Sequence, residues 1–354
     1  MGDRQERTPL LDALTAYKNQ APAYFRIPGH RFERGISERW TKETGTGIFA
    51  YDLSEAEGLD DLHDPRGVIR EAQELAAEAF GSERAYFLVN GTTCGNEAMV
   101  LASAWEGEKI LVPRNAHKSI LMGMIMSGAV PVWMEPELLE NGLVGGISPE
   151  TVERGLAACP EAKAVFVVSP TYYGLCSDLR AIGEICHRKG VMLLVDEAHG
   201  AHLSFSPRLP EGALAQGADL CSQSIHKVTG SLTQSSLLHL QGQLADRHRV
   251  EESLRMVQST SPSYLLMASL DAARYELAVR GESMMERAVC LADQARAEIR
   301  KIPGIFCPGR ELEGSGGIRA VDPTRLILSA EELGISGFRL PVSYTHLTLP
   351  TILR

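Results

Sequence analysis

The sequence has no long apolar run, no paired cysteine motif and no extended block of one charge. Nowhere in its 354 residues do about eighteen apolar residues follow one another, so we expect no membrane-spanning helix. The first residues, Met-Gly-Asp-Arg-Gln-Glu-Arg, lack the apolar stretch of a signal peptide. The seven cysteines are scattered without a Cys-x-x-Cys pair, which favours reduced thiols over a disulfide framework. These absences predict a soluble, cytoplasmic protein with no membrane partner.

Further absences exclude several classes of function. The net charge is −10, which argues against a nucleic-acid partner, because nucleic acid demands a basic face. The tetrapeptide that begins at Asp196, Asp-Glu-Ala-His, matches a helicase box. However, none of the eight lysines follows a glycine, so the phosphate loop of such enzymes is missing. His199 and His202 form a His-x-x-His pair, which is weak grounds for zinc without a cysteine or carboxylate pattern. We expect neither a helicase nor a metal site.

Short apolar runs alternate with helical patterns through the middle of the chain. Six runs are typical of buried strands: residues 85–89, 110–112, 130–133, 164–168, 191–195 and 236–240. Helical patterns cover residues 10–18, 67–80, 95–105, 119–127, 149–158, 179–189 and 265–301. Continuous rather than alternating hydrophobicity in the strands indicates a sheet covered on both faces. The alternation predicts a mostly parallel, doubly wound α/β sheet.

Composition shifts predict four segments along the chain. Residues 1–50 are expected to form an N-terminal arm and residues 51–300 the major domain. Residues 301–340 are expected to begin an incomplete C-terminal domain, with a first strand at 325–329. Residues 341–354 resemble the translated end of a sequencing-library adapter, and we expect them to be non-native; the alternative is an unusual natural C-terminus.

Lys227 and Asp196 suggest a specific chemistry. Asp196 ends an apolar run, and Lys227 follows a small polar strand end; ligands of doubly wound sheets bind at such strand ends. A lysine amine can form a Schiff base with pyridoxal phosphate (PLP), and a carboxylate can keep the ring nitrogen of PLP protonated. Taken alone, a lysine is usually a solvated surface charge. A buried Asp196 could also be paired with an arginine or a metal.

Two more segments follow predicted strands. Asn90-Gly-Thr-Thr opens a helix, where backbone N–H groups and the hydroxyls of Thr92 and Thr93 could hold a phosphate, or form only an N-cap with a tight turn. His117 follows the next strand and could stack on a planar cofactor, or be a capping or core residue. Beside Lys227, Ser224 and His226 offer further donors for a phosphate.

Six ordered motifs resemble the Orn/Lys/Arg decarboxylases over roughly residues 8–339. The motifs are Phe25-Arg-Ile-Pro-Gly-His, Asp64-Pro-Arg-Gly-Val-Ile-Arg, Leu88-Val-Asn-Gly-Thr-Thr, Arg114-Asn-Ala-His-Lys-Ser, Asp196-Glu-Ala-His-Gly-Ala-His and Ser224-Ile-His-Lys. The resemblance is greatest to the short form, which lacks an N-terminal wing domain. It implies the aspartate-aminotransferase-like fold, fold type I of the PLP enzymes.

The resemblance also implies the cofactor, PLP, and the residues that bind it. It implies a bond between Lys227 and the cofactor, with Asp196 at the pyridine nitrogen and His117 stacked on the ring. The residues implied to hold the phosphate are Thr92, Thr93, Ser224 and His226. His199 would lie near the cofactor, where some relatives carry tryptophan.

The implied reaction is decarboxylation of arginine, lysine or ornithine to the corresponding amine of polyamine biosynthesis and CO2. The short form favours arginine. A homodimer with its active site at the subunit interface is implied, and the acidic stretch 52–64 is a candidate to meet the cationic substrate side chain. Two alternatives stay open: an inactive truncated fragment, or another fold type I enzyme such as an aminotransferase.

Overall fold

The computed structural model describes residues 3–20, 22–23, 25–32, 34–139, 142–337 and 339–340; the segment 341–354, expected to be non-native, lies outside them. The helices are α1 (Pro9–Asn19), α2 (Glu38–Thr44), α3 (Val68–Phe80), α4 (Gly91–Ser103), α5 (Lys118–Ser127), α6 (Pro149–Ala158), α7 (Leu179–Arg188), α8 (Ile225–Val228), α9 (Arg247–Val257) and α10 (Tyr264–Ile299). The strands are β1 (Arg84–Leu88), β2 (Lys109–Pro113), β3 (Val130–Met134), β4 (Ala164–Val168), β5 (Leu175–Cys176), β6 (Met192–Asp196), β7 (Leu220–Gln223), β8 (Ser236–Leu240) and β9 (Ala320–Val321).

The central sheet has seven strands in the order β1-β8-β7-β6-β4-β2-β3. Strand β8 runs antiparallel to its neighbours β1 and β7, and the other neighbouring pairs are parallel. The mostly parallel sheet predicted from the sequence is therefore confirmed. Because six strands share one direction, their carboxyl ends meet at one edge, where the first residue of β8 also lies.

Helices cover both faces of the sheet. One apolar layer contains side chains of α1, α3, α6, α7 and α10, including Ile69 and Leu277. The other contains side chains of α4, α5 and α9, including Ala98 and Val250. A sheet buried on both faces explains why its strands read as continuous apolar runs.

The predictions near the end of the described chain were partly wrong. Residues 325–329 do not form a strand; Ser329 only makes an isolated bridge with Phe306. The pairing segment is instead β9, which lies antiparallel to β5. Leu326 and Leu328 are exposed on either side of the buried Ile327, so this apolar run lacks the neighbouring strand that would bury it.

A buried ion pair on α10 binds the N-terminal segment around α1. Asp271 and Arg274 are fully buried, and their charged atoms lie 2.8 Å apart. Asp271 also accepts a hydrogen bond from the backbone N–H of Leu10 at 3.0 Å. Arg274 donates to the carbonyl oxygens of Gln5 and Arg7. Both partners thus bind the chain around α1 in addition to each other.

We expect Asp271→Ala to lower the free energy of unfolding by about 3–5 kcal/mol. The reason is that Arg274 would keep its buried charge without its carboxylate partner. Urea unfolding measures the change. The matched control is Glu276→Ala, which removes an exposed pair with Arg280 on the same helix and should cost about 0.5 kcal/mol or less. Equal losses in the two variants would contradict this prediction.

No helix among the described residues is both long enough and apolar enough to cross a bilayer. None of the seven cysteines is joined in a disulfide, and six of them are buried. Burial raises the pKa of the Cys94 thiol to about 12, which makes it unreactive.

Candidate active site

The polar segments predicted to bind a ligand meet at the carboxyl edge of the sheet. Asp196 ends β6, Ser224 follows β7, and α4 begins three residues after β1. The side chain of His117, which follows β2, caps α5 by accepting a hydrogen bond from the N–H of Ser119. Segments far apart in the sequence thus form one continuous polar surface.

Asp196 is the buried centre of this surface. Its Oδ2 accepts a hydrogen bond from the amide of Asn96 at 2.8 Å, and its Oδ1 accepts one from the backbone N–H of Ala198 at 3.0 Å. The same Asn96 amide donates to Ser119 at 3.0 Å, and Ser119 lies 2.8 Å from His117 Nδ1. Asn96 and Ser119 therefore connect Asp196 to His117.

The close approach of α4 to the sheet makes this connection possible. A Cβ atom at Gly95 would lie 2.8 Å from Leu88 Cδ1 and 3.1 Å from Ser222 Cβ. Only glycine fits this space without displacing a neighbour. Asn96, the next residue, reaches Asp196 and also accepts a hydrogen bond from the Ser222 hydroxyl at 2.7 Å.

Burial raises the pKa of Asp196, because the charged carboxylate has lost its water. The hydrogen bonds from Ala198 and Asn96 and the charges of Lys227 and His117 oppose this rise in pKa. Each oxygen accepts one described hydrogen bond and keeps further acceptor capacity. A cation placed beside Asp196 would thus relieve an existing electrostatic cost.

Three hydroxyl groups cluster where α4 begins. The hydroxyls of Thr92 and Ser224 are hydrogen bonded to each other, and Thr92 Oγ1 lies 3.2 Å from Ser236 Oγ. All three side chains are buried. The first turn of α4 leaves backbone N–H groups without helical partners at this point. Hydroxyls together with such N–H groups suit a phosphate.

Lys227 lies in the short helix α8, directly after β7, and its Nζ is 3.5 Å from His199 Nε2. The side chain is exposed, yet neighbouring atoms remove enough water from the amine to lower the pKa of Lys227. The charge of Asp196 opposes this lowering of the pKa, and that of Arg325 adds to it. A lowered pKa gives the amine a larger neutral, nucleophilic fraction.

The ring of His199 contacts Lys227 and Tyr172, and its backbone contacts Arg325. Its ring meets that of Tyr172 edge to face at 5.5 Å, and its carbonyl oxygen accepts a hydrogen bond from Arg325 at 3.3 Å. Burial lowers the pKa of His199 to about 4, and the charges of Lys227 and Arg325 contribute to the lower pKa. Its Nδ1 is buried without a hydrogen-bond partner among the residues that the structure describes. His199 is therefore a neutral ring with one unused polar atom.

Two other predicted site residues are placed nearby with fewer contacts. Thr93 is exposed in the first turn of α4. His226 donates a hydrogen bond from Nδ1 to the carbonyl oxygen of Ser235 at 2.9 Å, which leaves its Nε2 available.

The acidic stretch 52–64 is largely occupied by local contacts. Asp60 accepts hydrogen bonds from the backbone N–H groups of Arg66, Gly67 and Ile69, and so caps α3. Burial alone would raise the pKa of Asp60, but these donors lower the pKa overall. Asp64 is paired with Arg66 at 2.6 Å. The role of this stretch toward a cationic substrate stays a prediction.

The two histidines considered for zinc point to different partners. His202 is buried against Asp322, with Nε2 3.0 Å from Oδ2, whereas His199 contacts Lys227. In the described ranges, no three side chains of His, Cys, Asp and Glu come close enough together to hold a metal.

Sequence reasoning missed several residues of this surface. Asn96 follows Thr92 by one helical turn, and Ser222 precedes Ser224 by one strand repeat, so periodicity could have identified both. Arg325 had no such signal, because it lies 126 positions along the chain from His199, its contact in the site.

Comparisons with known proteins identify the family of this chain. The sequence profile of a family described as "Orn/Lys/Arg decarboxylase, major domain" matches residues 8–329. The arginine decarboxylase of Halalkalibacterium halodurans is 45% identical over 95% of this chain and 68% of its own length.

Solved structures extend the comparison to the fold. The constitutive lysine decarboxylase of Escherichia coli is similar with a TM-score of 0.77 and 26% identity, over 91% of this chain and 52% of that one. This chain therefore spans about half the length of that solved relative. A lysine-to-alanine variant of serine palmitoyltransferase from S. paucimobilis, with a bound PLP–myriocin aldimine, is similar in fold alone, with a TM-score of 0.54, 16% identity and coverage of 87% and 68% of the two chains. The predicted aspartate-aminotransferase-like fold is confirmed, and the chain belongs to the Orn/Lys/Arg decarboxylase family.

Proposed function

We propose that this chain is a PLP-dependent decarboxylase of a basic amino acid, with arginine preferred over lysine and ornithine. The observation that carries the proposal is that Lys227 and Asp196 share one sheet edge with the hydroxyl cluster of Thr92 and Ser224. The choice of arginine is supported by relatives named arginine decarboxylase at 41–45% identity, against 30% for a lysine decarboxylase.

The described residues fit PLP. The raised pKa of Asp196 marks a buried carboxylate that needs a cation, and a protonated pyridine nitrogen is one. The hydroxyls at the start of α4 suit its phosphate, and the amine of Lys227 suits its aldehyde. When bound, PLP supplies an aldehyde that takes up the substrate amine and a protonated ring that accepts the electrons left when CO2 departs.

The residues of the chain have separate tasks in this proposal. Asp196 would keep the proton on the ring nitrogen of the cofactor, and Asn96 holds Asp196 in place through its hydrogen bond. His117, fixed by Ser119, would stack on the ring of the cofactor and limit its movement. Lys227 Nζ and His199 Nε2, 3.5 Å apart, hold a proton that can be returned to the substrate carbon. The low pKa of His199 keeps this ring an acceptor near neutral pH.

We expect Thr92→Val to raise the Kd for PLP about ten- to hundredfold, because a hydrogen bond to a charged phosphate is worth about 1.5–3 kcal/mol. Valine keeps the shape of threonine and removes only the hydroxyl. Equilibrium titration followed by absorbance measures the Kd. Thr44→Val, on the exposed helix α2, is the matched control and should leave the Kd unchanged. An unaltered Kd in Thr92→Val would exclude this hydroxyl from the phosphate site.

We also propose that the chain acts as a homodimer, as the family resemblance implies. Three large apolar side chains on α5 are exposed, namely Met122, Ile125 and Met126. Apolar surface of this kind is commonly covered by a partner.

A substrate assay tests the proposed function. Purified chain is incubated with PLP and either arginine, lysine or ornithine, and mass spectrometry detects agmatine, cadaverine or putrescine. We expect agmatine to form fastest. Formation of the keto acid instead would favour an aminotransferase, and no product from any of the three would refute the proposal for this chain.

A further inference from the structure

A second buried carboxylate, Glu197, directly follows Asp196 on the opposite face of the sheet. Side chains alternate along a strand, so Asp196 contacts Asn96 of α4, whereas Glu197 contacts Gln223 on the other side. Glu197 is 1% exposed. The reaction proposed above gives it no task.

Glu197 joins the ends of three chain segments. Its backbone N–H donates to the carbonyl oxygen of Ser222 at 2.9 Å, which links β6 to β7. Its Oε1 accepts a hydrogen bond from the N–H of Ala213 at 2.7 Å, and its Oε2 accepts one from Gln223 Nε2 at 2.7 Å. The thiol of Cys221 donates to Oε2 at 3.4 Å. Glu197 thus links the end of β6, where Asp196 lies, to the end of β7, which leads to Lys227.

The hydrogen bonds continue from Glu197 across the sheet. Gln223 Oε1 lies 3.1 Å from His239 Nε2 on β8, and His239 Nδ1 lies 2.9 Å from the hydroxyl of Ser82. The Ser82 hydroxyl is also 3.0 Å from the carbonyl oxygen of Arg84. Gln223 and His239 are buried, at 1% and 0% exposure. We call these four side chains, Glu197, Gln223, His239 and Ser82, the relay.

When Glu197 is ionised, all hydrogen bonds of the relay are donated toward Glu197. Burial lowers the pKa of His239 to about 3, so its ring carries a single N–H near neutral pH. An ionised Glu197 only accepts, so the Gln223 amide nitrogen donates to it and the Gln223 oxygen accepts from His239 Nε2–H. His239 Nδ1 then accepts from the Ser82 hydroxyl.

When Glu197 is protonated, the hydrogen bonds of the relay can be donated away from Glu197. Its Oε2–H can donate to Gln223 Oε1 once the amide has turned over, and the amide nitrogen then donates to His239 Nε2. The His239 proton moves to Nδ1 and is donated to Ser82, whose hydroxyl donates to the Arg84 carbonyl oxygen. In both directions every contact among the four side chains joins one donor to one acceptor; with Glu197 ionised, the Ser82 hydroxyl donates to His239 Nδ1 instead of to the Arg84 carbonyl oxygen.

We infer that Glu197 is a positioning residue for Asp196. Its side chain holds the end of β6 against the end of β7. When Glu197 gains or loses a proton, the hydrogen bonds of the relay reverse direction and the negative charge next to Asp196 changes. This inference rests on the proposed function only for its effect on the cofactor. An ionised Glu197 adds a second negative charge near the ring nitrogen that Asp196 would hold, and so favours its protonated form.

The groups around Glu197 place this change near neutral pH. The pKa of Glu197 is raised to about 7, because burial and, to a smaller extent, the charge of Asp196 outweigh the hydrogen bonds from Gln223, Ala213 and Cys221, which lower the pKa. The other titratable groups that face it are the thiols of Cys221 and Cys176, and burial raises the pKa of both far above the neutral range.

Two variants separate the charge from the mechanical link. Glu197→Gln keeps a side chain of the same shape that can donate to Gln223, so it fixes the relay in its reversed direction without charge. Glu197→Ala removes the charge and the side-chain hydrogen bonds to Ala213 and Gln223, and keeps only the backbone link to Ser222. We expect Glu197→Gln to bind PLP as the parent does at low pH and about fivefold more weakly at high pH. We expect Glu197→Ala to bind PLP more weakly at both.

The reversal of the relay is tested by nitrogen NMR of cofactor-free protein in which the histidines carry ¹⁵N. Spectra are recorded near pH 5.5 and pH 8.5, roughly 1.5 units on either side of the pH at which Glu197 is half protonated. His239 is identified by the signal absent from His239→Gln. In the parent, its proton should move from Nδ1 at low pH to Nε2 at high pH; in Glu197→Gln it should stay on Nδ1.

A His239 proton that does not move in the parent, or that moves equally in Glu197→Gln, would overturn the inference.

Thermal unfolding checks that the variant folds. Folding raises the pKa of Glu197 from 4.5 to about 7. Between these two pH values the folded parent binds more protons than the unfolded chain, so its free energy of unfolding falls as the pH rises from 4.5 to about 7. Glu197→Gln should lack this loss; an identical loss in both proteins would count against the inference. The NMR result does not depend on decarboxylation, so a moving proton in a chain without activity would refute the proposed function and leave the relay intact.

Discussion

Replacing Lys227 with alanine is expected to lower decarboxylation at least about 1,000-fold, the scale found when a covalent group is removed from a catalytic unit. The physical reason is that the amine alone can bond to the aldehyde of PLP and return a proton to the substrate. Its lowered pKa and its position 3.5 Å from His199 Nε2 support both tasks. The measurement is the rate of agmatine formation at saturating PLP and arginine.

The matched control is Lys189→Ala, because Lys189 is an exposed lysine at the end of α7. This variant should retain the parent rate. If Lys227→Ala kept a rate within tenfold of the parent, another group would have to perform the chemistry and the assignment of Lys227 would be wrong.

Replacing Asp196 with asparagine is expected to lower turnover about 100- to 10,000-fold, while PLP still binds. Asparagine keeps the size of the side chain and removes its charge, so the ring nitrogen loses the group that keeps it protonated. A neutral ring accepts electrons poorly, and the effect should appear in kcat more than in the KM for arginine. Steady-state kinetics together with a PLP titration separate the two quantities.

Asp246→Asn is the matched control for this substitution. Asp246 caps α9 through hydrogen bonds to the N–H groups of His248 and Arg249, and asparagine caps helices as well as aspartate does. The control should leave both turnover and PLP affinity unchanged. Turnover in Asp196→Asn comparable to that of the parent would show that this carboxylate does not support the reaction.

The sheet could be predicted because its strands are short and uniformly apolar. All six strands predicted for the central sheet are present, and none of their ends differs from the prediction by more than one residue. Strand β7 was not among the predicted apolar runs, although a strand end was expected before Lys227, because its sequence, Leu-Cys-Ser-Gln, is only half apolar. Its burial comes from β6 and β8 on either side, and a single-sequence pattern contains no information about those neighbours.

The candidate site could be predicted only where one segment contains both the strand and the functional side chain. Asp196, Thr92 and His117 each follow a recognisable strand, and the structure places them at the expected edge. Arg325 and the relay of Glu197 could not be found this way, because their partners come from segments that meet only after folding. The predicted division at residues 50, 300 and 340 stays a prediction.

The most direct test of the central claim is to locate the bond between PLP and the protein. The purified chain is saturated with PLP, treated with borohydride to make the carbon–nitrogen bond permanent, digested, and examined by mass spectrometry. We predict a single modified peptide, with the cofactor on Lys227 and its yield lost in Lys227→Ala. A modification spread over other lysines, or centred on one of them, would contradict the assignment of this sheet edge as the active site.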